Sequence, residues 1–252
     1  MSKIYEALQY AYKKKGQGAI PPFPITLESA SPARYAVAEA ATEDLEFKEE
    51  MLGLYKMIDS LLPDAKSKLI QFIGTGRGEG TSTITREFAK VAADEIGQSV
   101  LLLDADRHHP SQHLFFKIPG DFGWIEALKK GDRVQDALHR VEHSNLVVSP
   151  SINAAGSTPE IFNSPVFDNL LQTFKNDFEL ILIDSAPYFT SPDGLAIASK
   201  VDGIVLVVEA EKTKWQAVKM LKEKVDRVGG NILGVILNKR RFYIPQYIYK
   251  YL

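Results

Sequence analysis

Residues Gly74 to Thr83 read GTGRGEGTST and directly follow the apolar run Leu69-Ile70-Gln71-Phe72-Ile73. A strand, a glycine-rich turn and then a helix is an arrangement that cradles nucleotide phosphates. The turn's backbone N–H groups point inward and the helix N-terminus adds positive dipole. The usual motif ends Gly-Lys-Ser/Thr, where the lysine neutralises the outer phosphates and the hydroxyl holds Mg²⁺. Here Gly80 is followed by Thr81, Ser82 and Thr83. The cradle and the magnesium hydroxyl are present; the lysine is not. Arg77, inside the turn, either replaces it by clamping phosphate oxygens or is an exposed loop residue.

Two further apolar runs end in carboxylates. Val100-Leu101-Leu102-Leu103 leads into Asp104-Ala105-Asp106, and Leu180-Ile181-Leu182-Ile183 leads into Asp184-Ser185-Ala186-Pro187. Magnesium is held by a few carboxylates together with phosphate and water rather than by a full protein cage. One such carboxylate can also take the proton of an attacking hydroxyl. A single Asp at a strand end would be read as the cap of the next helix. Three beside a glycine-rich turn point to a metal and proton-transfer site.

The elements that must position these groups are legible in the hydropathy pattern. Strands are expected at Leu69–Ile73, Val100–Leu103, Leu146–Val148, Leu180–Ile183, Ile204–Val208 and Leu233–Leu237. Helical stretches fall between them at Ser82–Asp94, Phe167–Phe174 and Lys214–Val228. Continuous Val/Ile/Leu runs mark strands buried on both faces, hence an α/β fold. It is a three-layer P-loop arrangement, a mostly parallel central sheet flanked by helices, with the ligand beyond the carboxyl ends of the strands. Before this core, Ile4, Leu8 and Ala11 recur at helical spacing, and Pro21, Pro22, Pro24 and Pro32 mark an extended linker. A second helix runs from around Thr42 to Leu62. The chain thus divides into a helical arm and linker (1–40), a nucleotide-binding domain (41–242) and a tail (243–252).

Composition narrows the function. The 252 residues are 45% hydrophobic and 25% charged, ordinary for a globular protein, with a net charge of −2. That balance gives no reason to expect nucleic acid or acidic lipid as a partner. With no cysteine, disulfides, thiolate metal sites and cysteine nucleophiles are excluded. No secretory signal or membrane-spanning run stands out, so the expected place is the cytoplasm, with any membrane role through a partner. The cluster His108, His109 and His113 lacks a ligand pattern and reads as a polar loop.

Taken in order, GEG-T-ST, LLLDADRHHPS, GWIEALKKG, ILIDSAPYFTSPDG, VDGIVLVVEAEKT and ILGVILN resemble the bacterial tyrosine autokinases of capsule and exopolysaccharide synthesis. These belong to the deviant P-loop class that includes partition and septum-site ATPases. The resemblance covers Leu69 to Asn238. It implies ATP and Mg²⁺ as cofactors, with backbone N–H groups of Gly78, Glu79, Gly80 and Thr81, next to Ser82 and Thr83, on the phosphates. It implies Ser82, Asp106 and Asp184 as metal residues and Asp104 as the base nearest the acceptor, though Asp104 and Asp106 can exchange roles. Asn238 either meets the adenine by its amide or closes a turn. The tail tyrosines Tyr243, Tyr247, Tyr249 and Tyr251 are the implied phosphoacceptors. The implied partner is a membrane polysaccharide co-polymerase that recruits the chain to the inner face of the plasma membrane, with homo-oligomerisation as a further possibility.

The chain departs from the family pattern at four places. Thr81 replaces the lysine; the arginine of Asp-x-Asp-x-Arg is shifted to Arg107, or its role passes to His108; Glu50, Gly53 and Lys56 stand where an assembly motif has Glu and two Arg; and Asp184-Ser185-Ala186-Pro187 replaces Asp-Thr-Pro-Pro. Two readings follow. The chain is an ATP-dependent tyrosine autokinase regulating polysaccharide chain length and export, or it is a catalytically impaired nucleotide-binding scaffold of the same machinery.

Overall fold

The computed structural model describes residues 26–27, 38–151 and 159–240. The helix expected around Ile4–Ala11 and the four tail tyrosines lie outside them. Eight strands form one sheet: β1 (Thr26–Leu27), β2 (Lys68–Gly74), β3 (Val100–Ala105), β4 (His139–Arg140), β5 (Leu146–Ser149), β6 (Leu180–Ser185), β7 (Gly203–Glu209) and β8 (Ile232–Asn238). Their spatial order is β1-β8-β7-β2-β6-β3-β5-β4, and every pairing is parallel except β4 with β5.

The expected strands all form, each a residue or two longer than the apolar run that marks it. β3 and β6 are buried along their whole length, as continuous apolar runs require of a sheet covered on both faces. The helices are α1 (Ala38–Leu61), α2 (Thr81–Asp94), α3 (Gln112–Phe116), α4 (Trp124–Lys130), α5 (Pro165–Asp177), α6 (Asp193–Ala198) and α7 (Trp215–Arg227). α5 starts where its sequence dictates. Ser164 Oγ accepts the Phe167 N–H at 3.2 Å, and Pro165, with no N–H to satisfy, takes the first helical position.

On one face of the sheet, Met51, Leu54 and Ile58 of α1 join Ile84, Phe88 and Ala92 of α2 over Ile70, Phe72 and Leu102. On the other, Trp124, Phe162, Phe167 and Phe174 cover Leu69, Leu101, Leu103 and Ile183. α7 lays Leu221 and Val225 on Ile204, Leu206 and Val208. Each such side chain contributes about 1.5–3 kcal/mol by leaving water. The N-terminal linker is not wholly outside this core: Thr26 and Leu27 pair with Leu237 and Asn238 and add an edge strand. Gly53 and Lys56 lie on the exposed side of α1, away from the sheet. Among the described residues, no helix is long and apolar enough to cross a membrane.

The strand order reverses at β2, with β6 and β3 to one side and β7 and β8 to the other. The crevice beyond the carboxyl ends of these strands is where such a sheet receives a ligand.

Candidate functional site: a phosphate loop and a carboxylate pair

The turn between β2 and α2 has the shape its glycines allow. Gly78 and Gly80 take φ of 84° and 91°, the left-handed region that costs glycine little. A Cβ on Gly80 would also lie 2.1 Å from Asn238 Nδ2. α2 begins at Thr81 without a side-chain cap and without an acidic residue in its first turn. Its leading N–H groups are therefore left for an anion.

The loop is braced by side chains. The buried Glu79 carboxylate accepts from Thr75 N at 2.6 Å and Gly76 N at 2.9 Å through Oε2. Its Oε1 accepts from the hydroxyls of Thr75 at 2.6 Å and Thr213 at 2.5 Å. The Glu79 side chain thus ties the loop to the segment between β7 and α7, and only its backbone N–H remains for phosphate. Asn238 Nδ2 donates to Glu79 O at 2.8 Å, and Oδ1 accepts from Lys239 N at 2.8 Å. Of the two roles expected for Asn238, the turn-closing one describes these bonds, which leave one amide hydrogen without a protein acceptor. Lys239, at a left-handed φ of 56°, lays its ammonium on the Gly78 carbonyl and lies 3.4 Å from Glu209. Arg77 is exposed at the loop tip.

The three carboxylates have different surroundings. Asp104 and Asp184 are register partners on β3 and β6, and both are fully buried. Asp104 accepts from Asp106 N through Oδ1 and from Ser111 N and Gln112 N through Oδ2, at 3.0–3.1 Å. Burial and the neighbouring Asp184 nonetheless raise its pKa well above the usual carboxylate range, outweighing those three N–H donors. Both Asp104 oxygens hold the loop after β3, and of the two aspartates that could exchange the role of base it is the more buried. Asp106 keeps slight exposure, and its Oδ1 accepts from His108 N and His109 N at 3.0 Å.

Asp184 is the unusual one. Gln112 Nε2 donates to its Oδ2 at 2.7 Å, while Oδ1 is buried and has no hydrogen-bond partner. The Ser82 hydroxyl faces the same carboxyl closely enough to help hold its charged form, although it does not complete a bond to Oδ1. Burial pushes the Asp184 pKa up to about 6, against the opposing donors Gln112 and Ser82. A buried carboxylate oxygen with no donor, beside a helix-initial hydroxyl and an uncapped helix N-terminus, fits an oxygen-seeking cation such as Mg²⁺.

Two residues of this site gave no signal in the sequence. Gln112 is fully buried and also donates to Ser82 O at 3.1 Å, so it joins α3, β6 and the start of α2. Both neighbours of its Nε2 are acceptors, which fixes the amide orientation. Arg86 follows Ser82 by one helical turn, and its guanidinium carbon lies 3.8 Å from the Phe115 ring centroid. The shifted arginine has a different task from the expected one. Arg107 forms a buried ion pair with Asp193 at the start of α6, locking the loop after β3 against that helix. His108 Nε2 is buried without a hydrogen-bond partner.

No family model matches the chain. Tyrosine-protein kinase CpsD of Streptococcus agalactiae is 30% identical over 175 residues, covering 69% of this chain and 76% of that protein. The succinoglycan biosynthesis transport protein ExoP of Rhizobium meliloti is 28% identical over 196 residues, which is 77% of this chain and 25% of the longer protein. Among solved structures, the chimerical protein CapA2B2 superposes with a TM-score of 0.76 at 24% identity, covering 93% of this chain and 99% of that one. The septum site-determining protein MinD of Pyrococcus horikoshii, complexed with Mg-ADP, gives a TM-score of 0.56 at 20% identity, covering 72% and 75%. At these identities the two structures speak for a shared fold, one that holds a magnesium nucleotide in MinD. The streptococcal match, spanning three quarters of that kinase, decides the family: this chain belongs to the bacterial tyrosine kinases.

Proposed function

We propose that the chain is an ATP-dependent tyrosine autokinase that regulates the chain length and export of a capsular or extracellular polysaccharide. The observation that carries this reading is the unpartnered Asp184 Oδ1, buried beside Ser82 at the open N-terminus of α2. A purely structural carboxylate would have no reason to keep a desolvated oxygen without a donor.

In this reading the N–H groups of Gly78, Glu79, Gly80, Thr81, Ser82 and Thr83 bind phosphate oxygens. Ser82 and Asp184, with Asp106, hold Mg²⁺, which when bound draws charge from the transferring phosphoryl group. Gln112 fixes the Asp184 rotamer so that Oδ1 stays turned to the site. Asp106, the most accessible of the three carboxylates, takes the acceptor proton. The acceptors are Tyr243, Tyr247, Tyr249 and Tyr251, outside the described residues. The partner is a membrane polysaccharide co-polymerase, which brings the chain to the inner face of the plasma membrane.

One observation favours the second reading, an impaired scaffold. Thr81 places no cation in the loop, whereas the buried Glu79 places a carboxylate within it. Incubation with Mg-ATP and the cytoplasmic segment of the co-polymerase, followed by phosphotyrosine mapping of the tail, separates the two. Tail phosphorylation that disappears in Asp106→Asn and Asp184→Asn supports the kinase; an unmodified tail in the wild type supports the scaffold.

A further inference from the structure

The missing lysine poses a specific physical question: what offsets the charge of a polyphosphate on this loop. Arg77, Arg86, Arg107 and Lys239 are the described cations on or beside it that a phosphate could draw on. Arg107 is spent on Asp193 in a buried pair. Lys239 is held by the Gly78 carbonyl and Glu209 on the rim of the loop. Arg77 points from the exposed tip, with nothing that orders it. Arg86 differs from all three.

Arg86 is four residues after Ser82, so the two side chains share one face of α2. Helical side chains lean toward the N-terminus, which directs the long Arg86 stem back toward Ser82 and the open end of the helix. The guanidinium carbon lies over the Phe115 ring, 3.8 Å from its centroid, and the Arg86 side chain is only 13% exposed. Phe115 belongs to α3, the same short helix whose Gln112 bonds Asp184 and the Ser82 carbonyl. Phe115 and Gln112 are three residues apart, so α3 meets α2 with two adjacent rungs. One rung holds the carboxylate and the hydroxyl residue; the other holds the arginine. Arg86 is close enough to Asp184 to favour its charged form.

The arginine is ordered but not consumed. Its Nε is 3.4 Å from Glu87 Oε1, a long contact, and Glu87 is already paired through Oε2 with Lys90 at 2.8 Å. The planar fork therefore keeps its terminal amino groups for an incoming acceptor.

We propose that Arg86 supplies the positive charge that Thr81 leaves missing, its guanidinium meeting the terminal phosphate of a nucleotide seated on the α2 N-terminus. A guanidinium matches phosphate oxygens in a bidentate manner that an ammonium does not, and the contact with Phe115 holds it in place beforehand. The assignment rests on the nucleotide-binding reading above and deepens it by naming the group that distinguishes a triphosphate from a diphosphate.

The test measures dissociation constants of Mg-ATP and Mg-ADP for the full chain by competition with a fluorescent ADP analogue. In Arg86→Ala, Mg-ATP binding weakens about tenfold, equivalent to about 1.4 kcal/mol, while Mg-ADP binding changes by less than about threefold. Adding Thr81→Lys to Arg86→Ala restores the preference for ATP. Phe115→Ala, a surface change that frees the guanidinium without removing it, shifts the ratio in the same direction by less. An unchanged ATP-to-ADP ratio in Arg86→Ala, with thermal unfolding like that of the wild type, overturns the arginine assignment alone. A wild type that binds neither nucleotide overturns both this assignment and the reading it rests on.

Discussion

Asp104 and Asp184 stand opposite each other on adjacent parallel strands, fully buried, with Asp184 raised to about 6 chiefly by burial and Asp104 raised well above the usual range by burial and by Asp184. Two like charges cannot both be ionised cheaply in so dry a place. A cation on the Asp184 oxygen that lacks a donor would remove that conflict, so the proposed metal site is expected to couple to the stability of the sheet's central strands.

The pH dependence of stability follows from this pair. The native state holds protons that the unfolded chain, with carboxylates near 3.9, releases earlier. The contribution of Asp184 is therefore present at low pH and lost as pH rises through about 6. In metal-free buffer, Asp184→Asn is expected to be more stable than the wild type at pH 7.5, by on the order of 2–3 kcal/mol. The gap closes toward pH 4. Urea unfolding of both proteins across this range checks it; a gap that does not change with pH would contradict the buried, destabilised carboxylate.

The Arg107–Asp193 pair is a structural clamp, not a phosphate ligand. Truncating one partner strands the other charge in the interior, at a cost of about 3–5 kcal/mol. Arg107→Ala and Asp193→Ala should each lower the unfolding free energy by that order. The double variant should lose less than the sum of the two, and a double-mutant cycle with no coupling would show the pair to be unimportant.

Gln112 predicts a separation of stability from metal binding. Gln112→Ala removes the donor on Asp184 Oδ2 and on the Ser82 carbonyl. Leaving the buried Asp184 Oδ2 without its donor costs about 1–3 kcal/mol. Beyond this cost, the freed carboxylate can rotate, so the protection that Mg-ADP gives against thermal unfolding should shrink. Undiminished protection in Gln112→Ala would mean that Asp184 is held by the strand alone.

Much of this architecture is legible in the sequence because it depends on local pattern. The runs ending at Asp104, Asp184 and Asn238 give the central strands and the residues at their tips, and the α2 periodicity gives the helix that starts at the loop. The five-residue α3 is too short to show a period, and its Gln112 reaches an aspartate 72 residues away. No spacing rule encodes such a contact. The partnership of Arg86 with Phe115 is hidden for the same reason. A strand-end aspartate looks the same in sequence whether or not it holds its own loop, and the three N–H donors around Asp104 come from residues whose turn the sequence does not specify. The linker residues Thr26 and Leu27 join the sheet because β8 offers an unpaired edge, which the proline-rich sequence around them does not announce.

The central claim is that the loop binds a magnesium nucleotide although Thr81 stands in place of lysine. Calorimetric titration of the purified chain with Mg-ATP tests it most directly, with Asp184→Ala beside the wild type. Saturable binding by the wild type, abolished in a folded Asp184→Ala, is the predicted result. Absence of binding by the wild type, or equal binding by both proteins, would contradict it.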